Sequence, residues 1–537
     1  MALVNFAHRL FSRLPLHSGL STLHKYFIQE AARVRSDGPV MIVAIQGVEI
    51  PLYFALFGQI ALHLRRRRNI SGRIILVRSL TVGNSLKAIV ERSLAVSYWL
   101  SSRWARLNKE VVGPVGYRSQ SFGYPFADLC DSVRAYQLWR RLRMSKDTST
   151  LKLSGIEVGD LVIDSYLRFR PSPAFDVSDR FVWRILWQAL RDIRRAHHFF
   201  SANSPCIYLS SYSCYVQHGI AARVALKLDV PVYVFGGPNV FCKKLSSDDW
   251  FHVPRPGESE YRSIFEGLDH QEERLRDAEK ELCRRLSGDI DDAISYMKKS
   301  AYSSSGEAVP NLRQSVVVFL HDFCDSPHIF PDLVFTDFWE WIVCTMRILD
   351  TAGIAFVLKP HPNQSCESAE AVEALLERFP GVTVVQPGSS NKDLVDAGML
   401  CGVTVYGTIA HELAYLGVPT IACAKHPHHS FGFCRTAHSV HEYESFLKTP
   451  GEMPLGKREM RRQALAFYYM HNLFGGSELQ ALRRQLAAIW RMSETMEDDG
   501  RKLLNELIRL ESLPAYDSLV IAPLLEEIRE KASCSRG

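Results

Sequence analysis

Between residues 315 and 425 the chain alternates short apolar runs with longer stretches of helical period. "SVVVFLHDF" is rich in β-branched residues, and "DFWEWIVCTMRILDTAG" then repeats its apolar positions at helical spacing and stops at a glycine. "IAFVLKPHP", "VTVVQ", "MLCGVTVYG" and "VPTIACA" read as further strands, with "SAEAVEALLERFPG", "NKDLVDAG" and "TIAHELAYLG" as the helices between them. Short strands alternating with amphipathic helices predict a parallel sheet covered on both faces. In such a doubly wound, Rossmann-like sheet, ligands bind outside the carboxyl ends of the strands.

The first half repeats the pattern with more decoration. "PVMIVAIQGVE" reads as strand then turn, followed by a helix through Leu64 and the strand "RIILVRSL"; "PCIYLSSY" and "VPVYVFGG" are two more strands. "GIAARVALKLDVP" (Gly219 to Pro231) echoes "GTIAHELAYLGVP" (Gly407 to Pro419): glycine opens a helix, and Val-Pro leads into a new strand. The reading is therefore α/β, with two Rossmann-like doubly wound domains and added N- and C-terminal helices. The expected divisions are residues 1–300, a serine-rich linker at 300–314 ("SAYSSSGEAVPNLRQ"), a second domain at 315–480, and a peripheral helical tail at 481–537.

Composition narrows the class. The chain has 537 residues, 47% apolar and 23% charged, which is globular and large enough for more than one domain. A net charge of +6 suits an anionic ligand or membrane face without requiring nucleic acid. Twelve cysteines without a CxxC pair fit neither a disulfide framework nor a zinc site, so a reducing, cytoplasmic setting is expected. Arg9 and Arg13 interrupt the N-terminal apolar residues, which argues against a signal peptide, and no apolar run is long enough to span a bilayer. "RRRR", Arg65 to Arg68, ends a helical stretch and reads either as a solvated helix end or as a contact with an anionic membrane surface. The amphipathic opening (Leu3, Phe6, Leu10, Phe11 with Arg9 and Arg13) would serve the same contact.

Candidate chemistry gathers at three predicted strand ends. In "FVLKPHPNQ", Pro360 and Pro362 fix their own φ and bias the preceding residues to extended geometry, so Lys359 and His361 are held stiffly. Lysine supplies a point charge and histidine a directional donor. "VYGTIAHELAYLGVP" puts Gly407 and Thr408 at a strand-to-helix turn, where free N–H groups favour an anion. Glu412, one turn in, could accept ribose hydroxyls, or could simply favour the helix dipole. "HDFCDSPH" supplies His321, Asp322 and Asp325. Together they point to a nucleotide mono- or diphosphate. His426, His428 and His429 in "AKHPHHSFGF" have no carboxylate at ligand spacing and read as a rim loop, not a metal site.

"KPHP" followed by "GTIAHELAYLGVP" resembles the donor domain of GT-B glycosyltransferases. More narrowly, it resembles bacterial capsule and surface-polysaccharide biosynthesis proteins with a His-Pro motif, such as Kdo transferases and sialyltransferases. "IEVGDLVIDSYLR", "VQHGIAARVALKLDVPVYV" and "HDFCDSPH" extend the resemblance over residues 155 to 425, while residues 1–150 and those after 480 lie outside it. The resemblance implies two domains facing across a cleft, a nucleotide-sugar donor that is often cytidine-linked, no metal or other cofactor, and a saccharide or lipid-linked saccharide acceptor. His361 and Lys359 would hold the donor phosphate with Thr408 assisting. Asp164, in "GDLVIDSYLR", and His218, in "QHG", are the base candidates for an inverting transfer. A nucleotide-sugar epimerase of the same architecture and a non-catalytic scaffold remain as alternatives.

Overall fold

The computed structural model describes residues 18–33, 41–47, 51–67, 70–76, 118–120, 125–170, 172–236, 241–257, 259–290, 299–303, 309–494 and 500–534. They fall into two compact units. The first comprises Met1–Ser165, Val177–His252 and Ser477–Gly537, and the second Tyr166–Asp176 and Val253–Gly476.

The first unit opens with α1 (Ser18–Ala32), β1 (Met41–Gly47), α2 (Pro51–Arg67), β2 (Ile70–Leu76), β3 (Arg118–Gln120) and α3 (Pro125–Ser145). A two-stranded hairpin, β4 (Lys152–Leu153) with β5 (Ile156–Glu157), leads into α4 (Gly159–Phe169) and α5 (Arg180–Asn203). Then come β6 (Ile207–Ser210), α6 (Tyr215–Lys227), β7 (Val232–Val234) and β8 (Lys243–Leu245). The sheet runs β3-β2-β1-β6-β7-β8, parallel except for β8 against β7. β1 lies between β2 and β6, with Val43 opposite Ile207 and Ile45 opposite Leu209. The central strands are buried, as their unbroken apolar runs require.

The second unit contains α7 (Gln271–Leu286), β9 (Val316–Phe319), α8 (Phe338–Thr351), β10 (Phe356–Lys359), α9 (Cys366–Arg378), β11 (Thr383–Val384), β12 (Cys401–Val403), α10 (Ile409–Tyr415), β13 (Thr420–Ala422), β14 (Cys434–Thr436) and α11 (Lys457–Tyr468). Its all-parallel sheet runs β11-β10-β9-β12-β13-β14. Leaving the hairpin aside, each sheet takes its strands in the order 3-2-1-4-5-6 of the dinucleotide-binding fold. The doubly wound organisation expected from the apolar pattern is borne out in both halves. In each sheet the direction of winding reverses between the first and fourth strands, which is where the ligand crevice of such folds lies.

The boundaries differ from those read in the sequence. Residues from Val253 onward, including α7, belong to the second unit, because Leu275, Ala278 and Leu282 pack with Ala410, Ala414 and Phe467. The tail is not peripheral. Its helices α12 (Gly476–Glu494), α13 (Gly500–Glu511) and α14 (Ala522–Cys534) place Leu482, Leu503, Leu507 and Ile528 in one core with Val43, Phe57 and Leu209 of the first unit. Its polar composition hid this, since an amphipathic helix shows only one face to the core. Arg66 pairs with Glu30 and Glu511, and Arg67 with Asp517, so this part of the "RRRR" run is neutralised within the unit. The amphipathic segment at residues 3–13 lies outside the described residues. Among the described residues, no helix is long and apolar enough to cross a membrane.

Candidate functional site

In the second unit, side chains from the first and fourth strands meet over the crevice. His321, two residues beyond β9, places Nε2 3.1 Å from Thr404 Oγ1, one residue beyond β12. The Thr404 hydroxyl donates to the Tyr406 carbonyl (3.0 Å), so it can only accept from His321, which therefore carries its proton on Nε2. The ring stacks on Phe338 (4.6 Å, 13°) and meets Tyr406 edge-on. Burial, with His361 alongside, pushes His321 down to about 3. It is a neutral strut whose donor is already used within the unit.

His361 is held differently. The Asn363 N–H donates to His361 Nδ1 (3.2 Å), which fixes the proton of the neutral ring on Nε2. Among the described residues that Nε2–H has no partner, so it is the open donor of the loop. Burial lowers the pKa of His361, Asp322 opposes and Lys359 adds to the lowering. The loop is clamped at both ends. Asn363 exchanges two hydrogen bonds with the Lys299 backbone (2.8 and 2.9 Å). Asp322 accepts from Ser365 N–H and Oγ–H (both 3.0 Å) and from Ser368 Oγ–H (2.6 Å). Burial would raise the pKa of Asp322, but the bonds from Ser368, the Cys324 N–H and Ser365 outweigh it and keep the carboxyl below its ordinary value.

Lys359 is buried, and its ammonium donates to the carbonyls of Gln386 (3.3 Å) and Pro387 (2.5 Å) beyond β11. Desolvation pushes it down to about 8. It thus supplies charge through the loop, with its hydrogens turned to backbone. Gly407 has φ +119° and a Cβ there would meet nothing within 4 Å, so its backbone faces open space in a conformation that favours glycine. The helix after it, α10, has only seven residues, too short for the dipole-driven anion site expected at Thr408.

Glu412 belongs to a buried ion pair with Arg285 that the sequence does not announce, and Thr408 accepts a hydrogen bond from the same arginine. Arg285 of α7 reaches Thr408 Oγ1 (2.9 Å) and Glu412 Oε1 (2.7 Å), and the Tyr302 hydroxyl donates to Glu412 Oε2 (2.7 Å). Glu412 is 2% exposed. A ribose contact through Glu412 would require hydroxyls to displace Tyr302 or Arg285. Arg285 lies in the highly charged helix Gln271–Leu286, and Tyr302 in the assigned linker.

His426 and His428 are buried around Phe467 with His411 and His471, which corrects the rim-loop reading for these two residues. The apolar face of α11 draws the "HPHH" turn inward. Among the described residues, no group of three or more His, Cys, Asp or Glu is placed to hold a metal ion.

The first unit has its own polar cluster over the crevice. Gln46, at the end of β1, accepts from Ser211 N–H (2.8 Å) and Ser211 Oγ–H (2.6 Å) through Oε1. A backbone N–H is an unambiguous donor, so the Gln46 amide can be oriented only one way. Its Nε2 then donates to His218 Nδ1 (3.1 Å). The His218 proton is accordingly on Nε2, facing the side chain of Gln217 at 2.9 Å. Burial, assisted by His252, pushes His218 down to about 3. As held here, His218 is a donor, because the lone pair a base would need is occupied. Asp164 lies in the middle of α4 at 1% exposure. α4 packs closely on α6, where a Cβ on Gly219 would meet Leu161 Cδ2 at 2.6 Å; the glycine of "QHG" is a packing residue. Gln46 could have been suspected as a lone polar residue closing the apolar run "MIVAIQG". With Gln46→Glu, the His218 proton is expected to move to Nδ1, donated to the new carboxylate. Two-bond ¹H–¹⁵N spectra of histidine-labelled protein, with His218→Gln for assignment, would check this, and an Nδ1–H signal already present in the parent would contradict it.

No protein-family profile matches the chain, and no curated protein matches it. Solved structures with partial similarity include S. aureus MnaA with UDP, at 8% identity, covering 86% of this chain and 99% of that one, TM-score 0.27. A UDP-GlcNAc 2-epimerase from Methanocaldococcus jannaschii matches at 11% identity, 79% and 98% coverage, TM-score 0.22. Phytolacca americana UGT2, complexed with UDP-2-fluoro-glucose and pterostilbene, matches at 11% identity, 87% and 99% coverage, TM-score 0.22. At such scores the fold is read from the strand orders and registers above, not from the likeness.

Proposed function

We propose that the chain is a metal-independent GT-B glycosyltransferase that moves a sugar from a nucleotide donor onto a surface-polysaccharide or glycolipid acceptor. The observation that carries this reading is the His361 loop, a clamped turn at the carboxyl end of β10 whose Nε2–H has no partner among the described residues. Negative charge grows on the leaving phosphate as a glycosidic bond breaks, so a fixed donor with Lys359 behind it binds the transition state more strongly than the ground state. The bare backbone at Gly407 would allow close approach of the phosphate. In this proposal an acceptor displaces the Gln217 side chain from His218 and takes the Nε2–H bond in its place, and Asp164 is the remaining candidate for deprotonation. The resemblance of the "KPHP" segment to capsule enzymes favours a CMP-linked donor.

Thermal unfolding with CMP, CDP, UDP, UMP and GDP tests the donor. A ligand at a hundred times its dissociation constant should stabilise by about 2.7 kcal/mol. A shift with cytidine nucleotides that is lost in His361→Ala supports the full reading. A preference for uridine or guanosine keeps a nucleotide-sugar enzyme and removes the cytidine assignment, whereas no shift with any nucleotide overturns the proposal. Release of free sugar without an acceptor would identify an epimerase.

A further inference from the structure

The helix α3 is apolar on two opposite sides. Its inner face is fixed on α5: Trp183 Nε1 donates to the Ser132 carbonyl (3.0 Å) and Trp187 Nε1 to the Asp128 carbonyl (2.8 Å). Asp128 and Asp131 are buried there against Arg194, and Asp128 also meets Arg195. The outer face carries Phe126 (84% exposed), Leu129 (63%), Val133, Tyr136 and Met144 (79%), spaced so that they form one stripe along the helix. These five account for most of the large apolar side chains exposed among the described residues.

The charges on that helix are sorted by face. Both of its acids are inside and paired, whereas Arg134, Arg140, Arg141 and Arg143 are outside. Arg143 lies over the Trp139 ring, and among the described residues none of Arg134, Arg140 and Arg141 has an ion-pair partner. By helical spacing, Arg134 and Arg141 border one edge of the stripe, Arg143 the other, and Arg140 lies within it. The outer surface is therefore apolar and purely cationic.

We propose that the outer face of α3 docks on an anionic lipid bilayer, with Phe126, Leu129, Val133 and Met144 entering the headgroup–acyl boundary and the arginines meeting lipid phosphates. Interfacial helices bind by this combination of buried apolar area and attraction to anionic lipid. A second copy of the chain fits less well, since a two-fold contact through this face would set arginine against arginine. A nucleic acid would use the arginines and leave the aliphatic stripe without a role. Within the cationic run expected from sequence to meet a membrane, Arg66 and Arg67 are by contrast spent on Glu30, Glu511 and Asp517. Docking requires no sugar donor, so it stands or falls separately from the proposed transferase activity.

The test is co-sedimentation of the full chain with vesicles of phosphatidylcholine alone and of phosphatidylcholine with phosphatidylglycerol. Binding is expected to the anionic vesicles only, weakening with salt. Arg140→Glu with Arg141→Glu should lower the affinity at least about tenfold. Phe126→Asp with Leu129→Asp should lower it similarly while leaving thermal unfolding unchanged; should that pair fail to fold, Met144→Asp replaces it. Absence of binding, equal binding to both vesicles, or binding indifferent to these variants would overturn the proposal. So would a dimer in light scattering that Phe126→Asp with Leu129→Asp dissociates, or tighter binding to an oligonucleotide than to vesicles.

Discussion

Replacing His361 by alanine is expected to lower donor turnover by about 10²- to 10³-fold, the usual cost of removing one preorganised donor from a developing oxyanion. The expectation rests on the way the ring is held. Asn363 N–H occupies Nδ1, so Nε2–H is the group presented, and Asp322 and the Lys299 backbone keep the loop still without a ligand. His361→Asn should recover part of the loss if its amide reaches the phosphate, because hydrogen-bond donation, not proton transfer, is the role assigned. Lys359 adds a pH signature. It titrates at about 8 because burial disfavours its charge. As pH rises through that value the ammonium is lost, and affinity for a nucleotide phosphate should fall; Lys359→Met should remove that limb of the profile. Turnover within a few-fold of the parent in His361→Ala would place the donor elsewhere.

Glu412→Ala should cost about 3–5 kcal/mol in the unfolding of the second unit, because Arg285 would remain buried without its counter-charge. Arg285 and Glu412 are 5% and 2% exposed, so solvent cannot replace the lost partner. The Tyr302 hydroxyl would also lose its acceptor. Replacing both members together, Arg285→Met with Glu412→Leu, should be far milder, since no charge is left inside. Urea unfolding of the three proteins measures this. A cost below 1 kcal/mol for Glu412→Ala would mean that the pair is not formed in solution, and would reopen a ligand-binding role for the carboxylate.

The alternation of strand and helix was legible because burial imposes a period on local sequence, as in "SVVVFLHDF" and "IAFVLKPHP". The stiffness of the His361 loop was legible for a similar reason, since two prolines announce it. Partnership was not legible. Glu412 was read as a ligand group because its position in "GTIAHELAY" fits one, yet its cation comes from Arg285, 127 positions earlier, in a segment with no local mark of burial. His218 was read as a base from its residue type, and only the orientation of Gln46, fixed by a backbone N–H from another strand, turns it into a donor. The tail was judged peripheral on composition, whereas its contribution is one apolar face.

The return of that tail bears on the order in which the protein can form. The ribosome releases the sheet of the first unit early, but Leu482, Leu503, Leu507, Tyr516 and Ile528, which fill its core, emerge only after the second unit. The stretch Val253–Gly476 is released complete in between. During vectorial synthesis the later-encoded unit is therefore positioned to fold first, while β1 and α2 wait with apolar surface uncovered, a state that invites chaperone binding. A nascent chain stalled before α13 should accordingly protect the second sheet from protease and leave the first one open to it.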